Sequence, residues 1–129
     1  MLRTKCITLP KGKDDGLRIS IMSRHTLDDG VTPDPKIHSS CFDIWWRDLA
    51  PPPRMIGDYY KRGLSWQEFE ARFCEYLRSK TKVLEILIKL ARGFNVTILC
   101  TEKSPEHCHR RLVAEACRNL VPSLQVVIE

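Results

Sequence analysis

The chain has 129 residues, 43% hydrophobic and 29% charged, with a formal net charge of +5. That length suits one domain with a real core, and the composition is that of a globular protein, not a disordered or fibrous one. No apolar run approaches the roughly 20 residues of a membrane helix, and no signal-peptide h-region follows Met1-Leu2-Arg3-Thr4-Lys5, so a cytoplasmic protein without a membrane partner is expected.

The first predicted element is a short strand from about Arg3 to Leu9, followed by a turn rich in Lys, Asp and Gly from Pro10 to Gly16. Leu17 to Met22 alternates apolar and polar residues as a half-buried strand does, and Ser23-Arg24-His25 ends it. Thr26 to Ser40 is irregular, with Asp28-Asp29-Gly30 and two prolines; so long a loop marks a lid or binding segment. Phe42 to Leu49 reads as a short helix stopped by Pro51-Pro52-Pro53, and Arg54 to Arg62 as another ended by Gly63. Ser65 is placed to cap a helix in which Trp66, Phe69, Phe73, Tyr76 and Leu77 recur at helical spacing, with Glu68 completing a capping box. A core helix is predicted from Lys82 to Arg92, capped by Gly93. A strand over 95–100 follows, then a helix over 105–120, with Ser104 as N-cap and Pro105 as first residue, and a last strand from Leu124 to Ile128. The ending implies a βαβ crossover. The predicted fold is one α/β domain over residues 1–129. Its mostly parallel sheet is flanked by helices, with a helical insertion between the second and third of these strands.

Cys6, Cys41, Cys74 and Cys117 lie singly in apolar or helical patterns, as reduced, packed cysteines do. Chemistry concentrates instead between Cys100 and Arg111, where two thiols, two imidazoles and three cations crowd a strand-to-helix turn. Open α/β sheets bind ligands beyond the carboxyl ends of their strands. At 100° per residue, Cys108 and His109 project with Leu112, Val113, Ala116 and Leu120, while Arg110 points the opposite way. Three interpretations stand side by side. Cys108 or Cys100 is a reactive thiolate helped by His109; or Cys100, Cys108 and His109 ligate a metal, on a spacing that is not a standard zinc motif; or the residues merely lock helix to sheet.

The stretch Val96-Thr97-Ile98-Leu99-Cys100-Thr101-Glu102, continuing through Cys108-His109-Arg110, resembles the signature of the family called domain of unknown function 488. Residues 18–30 and 43–66, the latter with Trp46, Leu49-Ala50-Pro51-Pro52 and Tyr59-Tyr60, are similar to its short members. The resemblance covers nearly the whole chain. It implies a small α/β protein and carries no catalytic assignment. Many relatives have Asp-Arg-x-Trp-Pro-Arg-Gly after the second strand; here only Arg24 and Gly30 correspond.

If the strands are parallel, Ser23-Arg24-His25 and Cys100-Thr101-Glu102-Lys103 leave the same sheet edge. Arg24, His25, Glu102, Lys103, Cys108 and His109 then line one pocket. Arg24, Lys103 and Arg110 suit an anionic ligand, His25 or His109 serves as proton carrier, and Glu102 orients a histidine or pairs with Arg24. The expected function is an anion-binding or thiol-dependent site at the turn 100–111, with Cys108 as nucleophile for group transfer or hydrolysis and no cofactor. The alternative is a non-enzymatic module that binds nucleic acid or protein, its Cys/His cluster structural or zinc-binding. Trp45, Trp46, Tyr59 and Tyr60 fit core packing better than base stacking, and surface rings among them would suit a homo-oligomer.

Overall fold

The computed structural model describes residues 1–129. Five strands form one sheet: β1 (Leu2–Cys6), β2 (Leu17–Ser20), β3 (Ile44–Trp45), β4 (Val96–Cys100) and β5 (Val126–Val127). Their order is β3-β2-β4-β1-β5, and every pairing is parallel. Four α-helices accompany it: α1 (Pro53–Lys61), α2 (Trp66–Arg78), α3 (Thr81–Gly93) and α4 (His109–Leu120). The α/β class, the parallel sheet and the helical insertion are all as expected. One strand was not anticipated: the segment read as a helix over 42–49 holds β3 and one short 3-10 turn, Arg47–Leu49. Asp43 and Trp46 donate their main-chain N–H groups to Arg18 and Ser20, pulling this stretch onto β2 in place of a helix.

β4 lies at the centre, with Cys6 opposite Cys100 and Ile19 opposite Ile98 on its two sides. All five of its residues are buried, as expected of a strand covered on both faces. Alternation separates the faces. Leu2, Ile19, Val96 and Ile98 join Phe73, Leu77, Leu84, Leu87, Leu112 and Val113 in the main core, so α2, α3 and α4 cover that face. Burying such aliphatic side chains stabilises the fold by about 2 kcal/mol each.

Loops cover the other face. A smaller cluster of Ile7, Met22, Leu99, Cys100 and Cys108 packs there against Ile37, Cys41 and Phe42. Beside it lies a polar network absent from the sequence expectations. Asp15 is fully buried and accepts from Lys5 at 2.8 Å, from Arg18 at 2.6 Å and from the Gly12 N–H at 3.0 Å. The Arg18 guanidinium also donates to the carbonyls of Cys41 and Leu9. Thr97 Oγ1 donates to the Asp15 carbonyl. The 7–16 connection is thereby tied to three strands. Gly16 is required within it. Its φ is +61°, and a Cβ there would sit 1.9 Å from the Asn95 carbonyl oxygen that receives the Leu17 N–H.

Several boundaries moved. Ser65 does cap α2, accepting from the Glu68 N–H at 3.2 Å. Gly93 is the last residue of α3 and lacks the left-handed cap conformation, which Gly63 adopts after α1 with φ +76°. The largest shift is in α4, which starts at His109 instead of Pro105, with Cys108 as its extended N-cap residue.

Burial opposes ionisation of Asp15, but hydrogen bonds from Lys5, Gly12 and Arg18 outweigh it and hold the carboxyl below its ordinary value. A depressed folded pKa stabilises above the unfolded value of about 3.9 and ceases to do so as pH falls through the folded one. Asp15→Asn should therefore cost about 3 kcal/mol at neutral pH, read by urea unfolding. The gap between wild type and variant should close as pH falls below about 4.

Candidate functional site

The loops after β2 and β4 diverge: from β2 the chain goes out to β3, and from β4 it passes over β1 to β5. A crevice at such a divergence is the common ligand position in open parallel sheets. Here a cleft of about 1370 Å³ opens at that place. Its floor includes Met22 and Ser23 beyond β2, Cys100 at the end of β4, and Cys108 and His109 at the start of α4. Thr26 to Asp29 and α1 form its walls.

The floor is a tight cluster. One potential ligand atom from each of Cys100, Cys108 and His109 lies within 4.8 Å of the others, and all three residues are buried. His109 Nε2 donates to the Ile21 carbonyl at 2.7 Å. In the neutral ring this leaves the Nδ1 lone pair facing Cys100 Sγ, 3.6 Å away. Phe73 holds the other side of the imidazole edge-on, with centroids 5.7 Å apart. The two thiols are coupled. The Cys108 thiol, main-chain groups at Thr101 and Glu102, and the Arg110 charge hold Cys100 below the ordinary thiol value against its burial. The same contact and burial push Cys108 well above it. Of the two sulfurs, Cys100 is the more acidic.

Arg110 overturns the helical projection. It is fully buried, not outward, because it stands in a row with Val113, Ala114 and Cys117, spaced i, i+3, i+4, i+7, and that row is the buried stripe of α4. Ala116 and Leu120, which centred the expected face, are half-buried and exposed. The Arg110 guanidinium donates to the main-chain oxygens of Glu129 at 3.1 Å, Glu102 at 2.6 Å and Lys103 at 3.3 Å. It fixes the 101–108 loop and is not free for a ligand.

The other candidates divide. Arg24 lines the cleft and takes part in no ion pair. The expected Arg24–Glu102 pair is absent; Glu102 accepts from the Tyr60 hydroxyl at 2.7 Å. Partial desolvation at the cleft wall, then that carboxylate, raises the Tyr60 pKa, so the phenol remains a donor. Lys103 is exposed and outside the cleft wall. His25 is also outside it: Ser20 Oγ engages its Nε2 at 2.7 Å, and its ring stacks on Trp45 with centroids 4.0 Å apart. Burial and the nearby Arg47 charge lower its pKa.

The cleft also contains residues that the sequence reading did not select. Tyr60 is 60% exposed on α1, and Trp66 stacks on His107 with centroids 4.9 Å apart. Arg54 and Lys61 line the same wall. A signal for them was present in the adjacent Tyr59-Tyr60 on a short helix: Tyr59 packs against the core and Tyr60 faces the opening.

Arg110→Met keeps the apolar stem but leaves main-chain oxygens without their donors. It should destabilise the protein by about 3 kcal/mol, and amide exchange over residues 101–108 should quicken. Unchanged exchange there would remove Arg110 as the fastening of this loop.

No curated protein and no solved structure matches the chain. A family model does: DUF488-N3a, described as the active DUF488-N3 subclade, matches residues 2–119. With the signature residues from Cys100 to Arg110 inside that match, the chain belongs to the DUF488 family, in the subclade described as active.

Proposed function

We propose that this protein binds a small anionic ligand in the cleft and acts on it at a thiolate centre formed by Cys100 and Cys108. The reaction class that fits is hydrolysis or group transfer. The observation that carries the reading is the Cys100–Cys108–His109 cluster at the cleft floor, where two sulfurs and an imidazole nitrogen converge within 4.8 Å. Perturbed nucleophiles in clefts are enriched at functional sites.

The roles follow from the contacts. Cys100 carries the negative charge, favoured by the Cys108 thiol and by Arg110. The sequence reading favoured Cys108 as nucleophile; the coupling assigns the more acidic sulfur to Cys100. His109 is a proton carrier at Nδ1, with its orientation set by Ile21. Arg24, unpaired on the cleft wall, offers a planar fork of donors to a carboxylate or phosphate. Glu102 and Tyr60 form a second polar group beside it.

The test is alkylation by iodoacetamide across pH, on protein stripped of metal by a chelator, with modified peptides assigned by mass spectrometry. Cys100 should react with a midpoint below the free-cysteine value of about 8.5. Cys108→Ala should raise that midpoint, because it removes the neighbouring thiol that favours the Cys100 thiolate. An unshifted or raised Cys100 midpoint in the wild type would end the thiolate reading. In the same assay, inorganic phosphate should slow modification of Cys100, and Arg24→Gln should abolish that protection. Equal protection in wild type and variant would remove Arg24 from the anion site.

A further inference from the structure

We propose that Cys100 Sγ, Cys108 Sγ and His109 Nδ1 together bind one zinc ion, leaving its fourth position open to the cleft. The inference rests on the reading that this cluster is the reactive centre; with zinc bound, Cys100 and His109 Nδ1 serve as its ligands, and the roles of nucleophile and proton carrier given above belong to the metal-free cluster.

The donor set suits zinc. Thiolate and imidazole are its preferred ligands, and two cysteines with one histidine is a known set for zinc that retains an exchangeable position. The spacing between donors also fits. Zinc bonds of about 2.3 Å to sulfur and about 2.0 Å to nitrogen, at tetrahedral angles, set sulfur–nitrogen edges near 3.5 Å and a sulfur–sulfur edge near 3.8 Å. Cys100 Sγ and His109 Nδ1 are already 3.6 Å apart, and no pair among the three donor atoms exceeds 4.8 Å. Small side-chain rotations close the remainder.

The outer contacts are those that a ligating histidine needs. A metal-bound imidazole normally gives its other N–H to a carbonyl or carboxylate, which fixes tautomer and ring direction. His109 does this through Ile21 at 2.7 Å, and the Phe73 ring edge holds the imidazole from the side. The backbone supplies the rest. Cys100 ends a strand paired on both sides, and Cys108 is the N-cap residue of α4 with extended backbone. Both sulfurs are thus carried on fixed elements although eight positions separate them in sequence. That spacing falls outside the short-loop zinc motifs because two separate elements, not one loop, bring the ligands together.

The fourth position is open because the cluster forms the cleft floor, with Cys100, Cys108 and His109 all on its lining. No other Cys, His, Asp or Glu joins the group. A zinc ion there would take a water molecule or an anionic oxygen of the ligand, and would lower the pKa of that water toward neutrality. Hydrolysis is the branch of the proposed chemistry that such an ion serves.

Cobalt(II) titrated into metal-stripped full-length protein provides the test. One equivalent should give thiolate-to-cobalt charge-transfer absorption and the intense visible bands of a four-coordinate site, and zinc should displace it. Adding azide should change the visible bands, since the open position accepts an anion. Cys100→Ser, Cys108→Ser and His109→Gln should each weaken binding by more than about 100-fold, beyond the loss expected for an outer-shell partner. Cys74→Ala, on α2 outside the cluster, should leave it unchanged. In zinc-loaded wild type, chelation should expose two further thiols to a thiol reagent, a readout that does not depend on the variants folding. Absence of the cobalt bands in wild type would overturn the proposal, and bands indifferent to azide would overturn the open position. The two proposals part cleanly. Low-midpoint Cys100 alkylation in stripped protein without cobalt binding sinks the zinc site alone. Cobalt binding with an ordinary midpoint sinks the thiolate reading alone.

Discussion

A guanidinium with no exposed surface has to place its N–H groups on oxygen inside the protein, because a buried charge without hydrogen bonds is too costly to keep. Arg110 meets that requirement with main-chain oxygens of Glu102, Lys103 and Glu129. Its partners come from the loop after β4 and from the segment after β5, so one side chain in the first turn of α4 joins the two ends of the crossover. The loop it fastens bridges Cys100 to Cys108. That fastening acts together with the His109–Ile21 hydrogen bond and the pairing of β4 to hold the two sulfurs and His109 in one small volume. The same charge favours the anionic form of Cys100. A single residue thus contributes to both the geometry and the electrostatics of the cluster.

The two faces of the sheet divide the work. The helix-covered face carries the large aliphatic and aromatic core. The opposite face carries a polar network around Asp15 and Arg18, and loops close over it. The cleft opens where the two systems meet, at the carboxyl ends of β2 and β4. Its floor is rigid because it belongs to strand ends and a helix start. Its walls belong to the 26–34 loop and to α1, a helix with no fully buried residue. Such a division suits a site in which fixed groups do the chemistry and a less deeply anchored rim admits the ligand.

Much of this was legible in the residue pattern. α2 and α3 carry strong helical periodicity, β2 begins in clean alternation, and β4 is an unbroken apolar run, so tertiary packing agreed with local preference. The start of α4 was not legible. Ser104-Pro105 is a good helix opening, but Ser104 Oγ instead accepts from the Glu106 N–H at 3.3 Å, and the Pro105 carbonyl accepts from the Cys108 N–H at 3.2 Å, closing a turn. Turn and cap use the same chemistry, and only the burial of Cys108 decides between them. Arg110 was misplaced because the projected face was drawn through Ala116 and Leu120, which are half-buried and exposed. Its row with Val113, Ala114 and Cys117 is apparent once Ala and Cys are given weight as buried residues. The convergence of Cys100, Cys108 and His109 was anticipated; the removal of His25 to the Trp45 stack was not, since the chain bends after β2 and Ser20 and Trp45 take up the imidazole.

The two outermost strands have a consequence of their own. β3 and β5 each contain only two paired residues. A sheet whose borders are so brief presents almost no continuous row of free N–H and C=O groups to another chain. Strand-by-strand growth from one molecule to the next therefore has little template, although the interior strands are as hydrophobic as those that drive aggregation elsewhere. The fold guards itself against runaway sheet extension by keeping its borders short, and contacts between copies have to be made through side chains.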